Sequence, residues 1–273
     1  MEFSEQKAVK TIVIASGKGG VGKTNITANL AVALSKTGKK VLVFDADLGL
    51  CNINVLLDLT TKYTIKDLFM GEKRLKDIIV DGPGGIKILP ASSGIQELTA
   101  LDEFQRLRLI EEFELYDEDV DYLLIDAPSG ISSNVAFFCT ASQDIIIVTS
   151  GEPTALTDAY ALIKVLFINH QEKNFKVLIN EVKNEAEATD VYMRLSDAAE
   201  QFLSISLDYV GFIPYDESIP MAVRQQKALM AIYPESNAAK SFLRIAKSLN
   251  LNSDIHLKGT LQIILGGLIK TSC

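Results

Sequence analysis

Residues 17–24 read GKGGVGKT, and no other stretch constrains this chain as strongly. They fit the pattern G-x-x-x-x-G-K-[ST]. They directly follow a short apolar run, TIVIAS at 11–16, and precede a pattern with helical spacing near 24–37. A loop of this kind between a strand and a helix is suited to holding phosphate. Gly17, Gly19, Gly20 and Gly22 let the backbone wrap an anion, with Val21 contributing its peptide N–H between them, and the helix N-terminus faces the same anion. Lys23 would reach the β- and γ-phosphates, the Thr24 hydroxyl would ligate Mg²⁺, and Asn25 follows in the first helical turn.

The rest of the chain repeats the same alternation. Strand-like runs lie at 40–45 (KVLVFD), 86–90 (IKILP), 121–126 (DYLLID), 144–149 (DIIIVT), 175–180 (FKVLIN) and 207–213 (LDYVGFI). Most are Val/Ile/Leu runs without polar alternation, which suits strands covered on both faces, as in parallel sheets. Helical patterns lie between them, near 102–115, 155–168, 185–203 and 236–249. This order predicts one α/β domain: a single doubly wound, mostly parallel sheet with helices on both faces. The character changes after Leu251, where NSD at 252–254 precedes the apolar stretch LKGTLQIILGGLIK. The expected division is a domain over 1–251 and a tail over 252–273.

With 273 residues, 48% of them apolar and 23% charged, the chain can bury a large core and is not expected to be disordered. A net charge of −8 argues against a protein whose main task is coating nucleic acid, so no direct nucleic-acid binding is expected. The three cysteines, at 51, 139 and 273, form no CxxC or Cys/His cluster, which reads as reduced thiols and no structural zinc. The opening MEFSEQKAVK lacks the features of a secretory signal, and no run of about 20 apolar residues is present to span a bilayer.

Two strand-like runs end in carboxylates. The first leads into DADLGLCNIN at 45–54, the second into DAPSGIS from Asp126. The carboxyl ends of parallel strands are where ligands bind in such sheets. Attack on a γ-phosphate needs an oxygen acceptor to align water, and Mg²⁺ keeps a water shell that a carboxylate can hold. Asp126, at the end of four apolar or aromatic residues, suits that second task.

The loop's K-G-G-V-G-K-T is similar to the deviant Walker A loop of the MinD/ParA group of ATPases. That resemblance implies that Lys18 crosses a dimer interface and touches the partner's nucleotide, as an arginine finger does. A solvated charge is the plain alternative for Lys18. The resemblance further implies that Asp47 positions or activates the attacking water and that Asp45 sits near Mg²⁺ through its water shell. It makes Leu48–Asn54 a first switch segment, and Pro128, Ser129 and Gly130 a second. NEV at 180–182 and IPYDESIP at 213–220 leave the same sheet edge. There the resemblance makes Asn180 the base-reading residue, with Pro214 and Asp216 flanking the ring. No NKxD signature is evident, which favours ATP over GTP.

Longer stretches narrow the group. DADLGLCNINVLLDL (45–59), PGGIKILPASSGIQ (83–96), EPTALTDAYALIK (152–164) and YVGFIPYDESIPMAVRQQKA (209–228) resemble the FlhG/FleN branch of flagellar-number regulators. That branch implies a slow ATPase switch, monomeric without ATP and homodimeric with it, acting on the number or placement of flagella. It also implies an FlhF-type GTPase and a σ54-type flagellar activator as partners. The expected location is the cytoplasm, with reversible attachment to the inner face of the membrane. SEQKAVK at 4–10 does not fit the DQAxxLR segment that some members use to stimulate FlhF, and DAPSG leans toward the DSPAG of MinD. A MinD-type division-site ATPase and a ParA-type partition ATPase are the alternatives. In the tail, Leu257, Leu261, Ile264, Leu265 and Leu268 would share one helical face bracketed by Lys258 and Lys270, so residues 257–270 could lie in a membrane interface. Two lysines add only about 2 kcal/mol of attraction to anionic lipid, so two tails on a dimer would bind far better than one. A last helix packed on the domain, or a dimer contact, is the alternative, and Gly266 and Gly267 each cost about 1 kcal/mol in a helix relative to Ala.

Overall fold

The computed structural model describes residues 9–48, 52–91, 101–116 and 118–251. Its sheet collects β1 (Lys10–Ser16), β2 (Val41–Asp45), β3 (Val80–Asp81), β4 (Lys87–Leu89), β5 (Tyr122–Ser129), β6 (Asp144–Ser150), β7 (Phe175–Val182) and β8 (Leu207–Pro214). In space the order is β3-β4-β2-β5-β1-β6-β7-β8. Among the described residues every ladder is parallel except the short β3–β4 pair at one edge.

The helices are α1 (Lys23–Lys36), α2 (Ile53–Leu56), α3 (Ile65–Phe69), α4 (Leu75–Ile78), α5 (Glu103–Glu114), α6 (Ser133–Ala141), α7 (Pro153–His170), α8 (Glu185–Leu203), α9 (Ser218–Arg224), α10 (Leu229–Ile232) and α11 (Asn237–Leu251). Successive strand residues point to opposite faces, so one run feeds two cores. Val13 and Ala15 of β1, with Leu123 and Ile125 of β5, face the core covered by α3 to α8. Ile12 and Ile14, with Tyr122 and Leu124, face the core covered by α1, α10 and α11. This two-sided burial is why the strands carry no polar alternation.

Local chemistry sets the helix ends. Asp102 caps α5 by accepting from the Gln105 N–H at 2.7 Å, and the Gln105 side chain accepts back from the Asp102 N–H at 3.0 Å. Pro153 occupies the first turn of α7, where its missing N–H costs nothing. Asn184 caps α8 through the Glu187 N–H at 3.0 Å. The strand at 121–126 runs further than its sequence suggests, through Ser129. Pro128 is tolerated there because the β1–β5 register slips between Ile14 and Ser16. Pro128 and Ser129 of the expected second switch therefore lie on β5, with Gly130 just past its end. α6 has no counterpart in the periodicity: SNVAFFCTA is short and apolar around most of its surface, and only the capping Ser132 marks its start. The expected tail, 252–273, lies outside the described residues, as do residues 49–51 of the first switch segment.

Candidate nucleotide site

Gly22 takes the N-cap position of α1 with φ +89°, and no side chain caps the helix. The first N–H groups of α1 are thus left facing the cleft, a ready anion site. Gly20 is also left-handed, at φ +81°, in open space. Gly17 serves a different purpose: a Cβ there would lie 1.9 Å from the Asp158 carbonyl oxygen, so the loop begins against the backbone of α7. The loop opens on a cleft of about 470 Å³ lined by Gly20, Gly22, Lys23, Thr24 and Asn25, by Asp47 and Asn52, and by Ser129, Val55 and Val223.

Lys23 is buried and donates to Ser129 Oγ at 2.6 Å. Burial holds its ammonium below the usual lysine range, against the pull of Asp126 and Asp47. Thr24 donates to Asp126 Oδ2 at 2.7 Å, and Thr27 donates to Asp126 Oδ1 at 3.2 Å. Asp45 and Asp126 are register partners on neighbouring strands and are both fully buried. Burial pushes Asp126 up to about 6, against the hydrogen bond from Thr24 and the charge of Lys23. Burial first, and the Asp126 carboxylate second, push Asp45 well above the carboxylate range. Backbone N–H groups of Asn52 and Ile53 oppose that rise by donating to Asp45 Oδ2 at 3.1 and 3.0 Å. Asn52 Nδ2 also donates to Asp47 Oδ2 at 3.1 Å. The site therefore gathers two buried carboxyls against the one buried lysine, Lys23, and burial works against ionising either.

Those oxygens suit Mg²⁺, a hard cation that takes carboxylate and hydroxyl oxygens while keeping several waters. Among the described residues no group of three or more His, Cys, Asp or Glu is arranged to hold a metal by itself. The Thr24 hydroxyl bonded to Asp126, with Asp45 beside it on the next strand, offers the oxygen donors that such an ion takes.

The expected base residues are not among those lining this cleft, although Asn180 stands beside it. Asn180, at the end of β7, is buried and donates through Nδ2 to the Val21 carbonyl at 2.8 Å. A Cβ on Gly22 would stand 2.5 Å from that same nitrogen, so Asn180 packs directly against the phosphate loop. Pro214 ends β8. Asp216 accepts from the Ser218 N–H at 2.9 Å, from the Ser218 hydroxyl, and from the Ala238 N–H at 3.0 Å. Burial works to raise its carboxyl, yet these hydrogen bonds hold it below the usual range. Lys18 stands outside the cleft: its Nζ donates to Glu152 Oε1 at 2.6 Å and to Thr154 Oγ1 at 2.8 Å. The hydrogen bond from Lys18, then that from Thr154, lower the Glu152 carboxyl. Glu152 and Thr154 were missed by sequence reasoning, since they lie far along the chain from Lys18. Thr27 was missed too, although its spacing one turn after Thr24 could have marked it.

A strand–loop–helix phosphate cradle facing two in-register aspartates, on a parallel sheet, defines a nucleotide-binding P-loop protein of the deviant Walker A class. The CobQ/CobB/MinD/ParA nucleotide-binding domain family matches residues 12–229, and the chain belongs to that family. It is 42% identical over 249 residues to the antiactivator FleN of Pseudomonas aeruginosa, covering 91% of this chain and 89% of FleN. It is 37% identical over 246 residues to the flagellum site-determining protein YlxH of Helicobacter pylori, covering 89% and 83%. These two matches agree with the resemblance to the FlhG/FleN branch. The septum site-determining protein MinD of Pyrococcus horikoshii, solved with Mg-ADP, superposes with a TM-score of 0.69 at 27% identity, covering 89% of this chain and 96% of that one.

Proposed function

We propose that this chain is an ATP-hydrolysing switch of the FlhG/FleN type, which dimerises around ATP and restrains or places flagellar assembly. The observation that carries the reading is the convergence of Lys23, Thr24, Asp45, Asp47 and Asp126 from one loop and two adjacent strands. The N–H groups of the loop and of the first turn of α1 would bind the α- and β-phosphates. Lys23 would exchange Ser129 for a phosphate oxygen. Bound Mg²⁺ would supply charge neutralisation between the β- and γ-phosphates and the buried carboxylates. Asp47, steadied by Asn52, would accept a hydrogen bond from water aligned with the γ-phosphorus. Asn180, Pro214 and Asp216 would form the base end. In a face-to-face dimer Lys18 would leave Glu152 and Thr154 and bring its charge to the partner copy's nucleotide.

Support for the flagellar role comes from the names of the two relatives, an antiactivator and a flagellum site-determining protein. An FlhF-type GTPase and a σ54-type activator are the partners this reading entails. Among the described residues no helix is long and apolar enough to cross a membrane. Attachment to the inner membrane surface would use residues 257–270, on the apolar spacing of their sequence. A second reading, a MinD-type division-site ATPase, is favoured by DAPSG and by the MinD superposition. Deleting the gene separates the two: altered flagellar number or flagellar transcription supports the first, displaced septa the second.

The test of the chemistry is phosphate release by the purified protein with ATP and Mg²⁺. Asp47→Ala should cut it ~100-fold or more, the scale of losing a positioned proton acceptor, while still retaining ATP. Normal hydrolysis by Asp47→Ala would remove Asp47 from the mechanism.

A further inference from the structure

α2 is a single turn and cannot be stable by itself. Its N-terminal end carries the chemistry, since the Asn52 and Ile53 N–H groups hold Asp45 and the Asn52 side chain holds Asp47. The carbonyls at the other end of a helix lack partners within it. Two of them are met locally, by Leu57 N–H on Ile53 and Leu59 N–H on Asn54. The Val55 carbonyl is met from the far end of the chain: Gln226 Nε2 donates to it at 2.8 Å.

The aim of Gln226 is set by how α9 ends. Gln226 has φ +53°, an uncommon conformation for a residue other than glycine. The N–H groups of Gln226 and Lys227 turn back onto the carbonyls of Val223 and Ala222, at 2.9 and 3.1 Å, and close the helix. The start of α9 is fixed too, because Ser218 bonds Asp216. Residues 214–227 are thus one short braced piece that begins at the expected base loop and ends on α2. Val55 and Val223, one from each side of this contact, both line the phosphate cleft.

We propose that Gln226 is a positioning residue for ATP hydrolysis: through the Val55 carbonyl it seats α2, and α2 in turn aims the Asn52–Asp47 pair. Water alignment at the γ-phosphate then depends on whether the base loop and α9 are seated. This rests on the reading that Asp47 aligns the water.

The experiment compares Gln226→Met, which keeps the length but has no donor, with Gln226→Lys, which restores a donor at similar reach. Steady-state kcat and KM for ATP, ATP affinity and melting temperature are measured on the full chain, with Asp47→Ala in the same assay. Gln226→Met should lower kcat roughly fivefold, the effect of one lost hydrogen bond, with KM and affinity changed by less than about twofold. Gln226→Lys should recover at least half of the lost kcat. Equal kcat for the two variants, whether both normal or both reduced, overturns the proposal, as does a loss confined to KM. If Asp47→Ala is inactive while Gln226→Met is normal, the positioning role alone fails. If Asp47→Ala is fully active, the reading of Asp47 fails.

Discussion

The environment of Asp126 departs from what its position in the sequence reveals. Its place at the end of an apolar run was legible, as were Asp45, Lys23 and Thr24, because strand ends and a loop pattern are local signals. Its titration was not legible, because it comes from burial at the centre of the folded sheet, which no local pattern in the sequence records. A carboxyl raised to about 6 in the folded chain binds its proton more tightly than in the unfolded chain, where about 3.9 is usual. Stability from this group is therefore fully present below pH ~4 and is lost as pH climbs through about 6, by about 3 kcal/mol. The nucleotide-free, Mg²⁺-free protein should melt at a higher temperature at pH 5 than at pH 7.5. Asp126→Asn should shrink that difference, the remainder coming from Asp45, whose carboxyl burial also raises; an unchanged slope would mean that the Asp126 carboxyl is not strained when ionised. The partners of Lys18 were illegible for a related reason, since Glu152 and Thr154 reach it only through the β1–β6 pairing that brings the start of α7 beside the loop.

At the scale of elements, the runs that read as buried strands became strands, because two-sided burial leaves a continuous apolar signature. The helices that escaped are shorter than those that were legible: α2, α3, α4 and α10 are four or five residues each, α9 is seven and α6 nine. Such turns are held by tertiary contacts, as Val55 is held by Gln226, and carry little periodicity of their own. The loop glycines show a similar gap. All look alike in the pattern, yet only Gly20 and Gly22 have positive φ, while Gly17 is required by the approach of the α7 backbone. Gly17→Ala should therefore force the loop and α7 apart. The cost of such overpacking is about 1–3 kcal/mol, or a fall of several degrees in melting temperature for a domain of this size. Gly38→Ala, where φ is +83° but the space is open, should cost only the ~1 kcal/mol of a left-handed alanine. Equal, small losses at the two positions would mean that the loop does not rest on α7.

For the whole molecule, the alternation of strands and helices announced a doubly wound sheet, and the order β3-β4-β2-β5-β1-β6-β7-β8 realises it. β1 and β5 lie at its centre, which puts the phosphate loop and Asp126 side by side at the edge where ligands bind. The antiparallel β3 was not legible, because two residues at a sheet edge leave no pattern. The charge balance of the site carries the larger consequence. Buried carboxylates outnumber their lysine, and the loop lysine Lys18 rests on an exposed glutamate instead of reaching into the cleft. Nucleotide, Mg²⁺ and a second copy would each change that balance, and the γ-phosphate is the group a second Lys18 would seek. Light scattering after size exclusion of the Asp47→Ala protein, with Mg-ATP and separately with Mg-ADP, tests this most directly. The expected result is a particle of 29.9 kDa with ADP and twice that mass with ATP. The same mass with both nucleotides would contradict it.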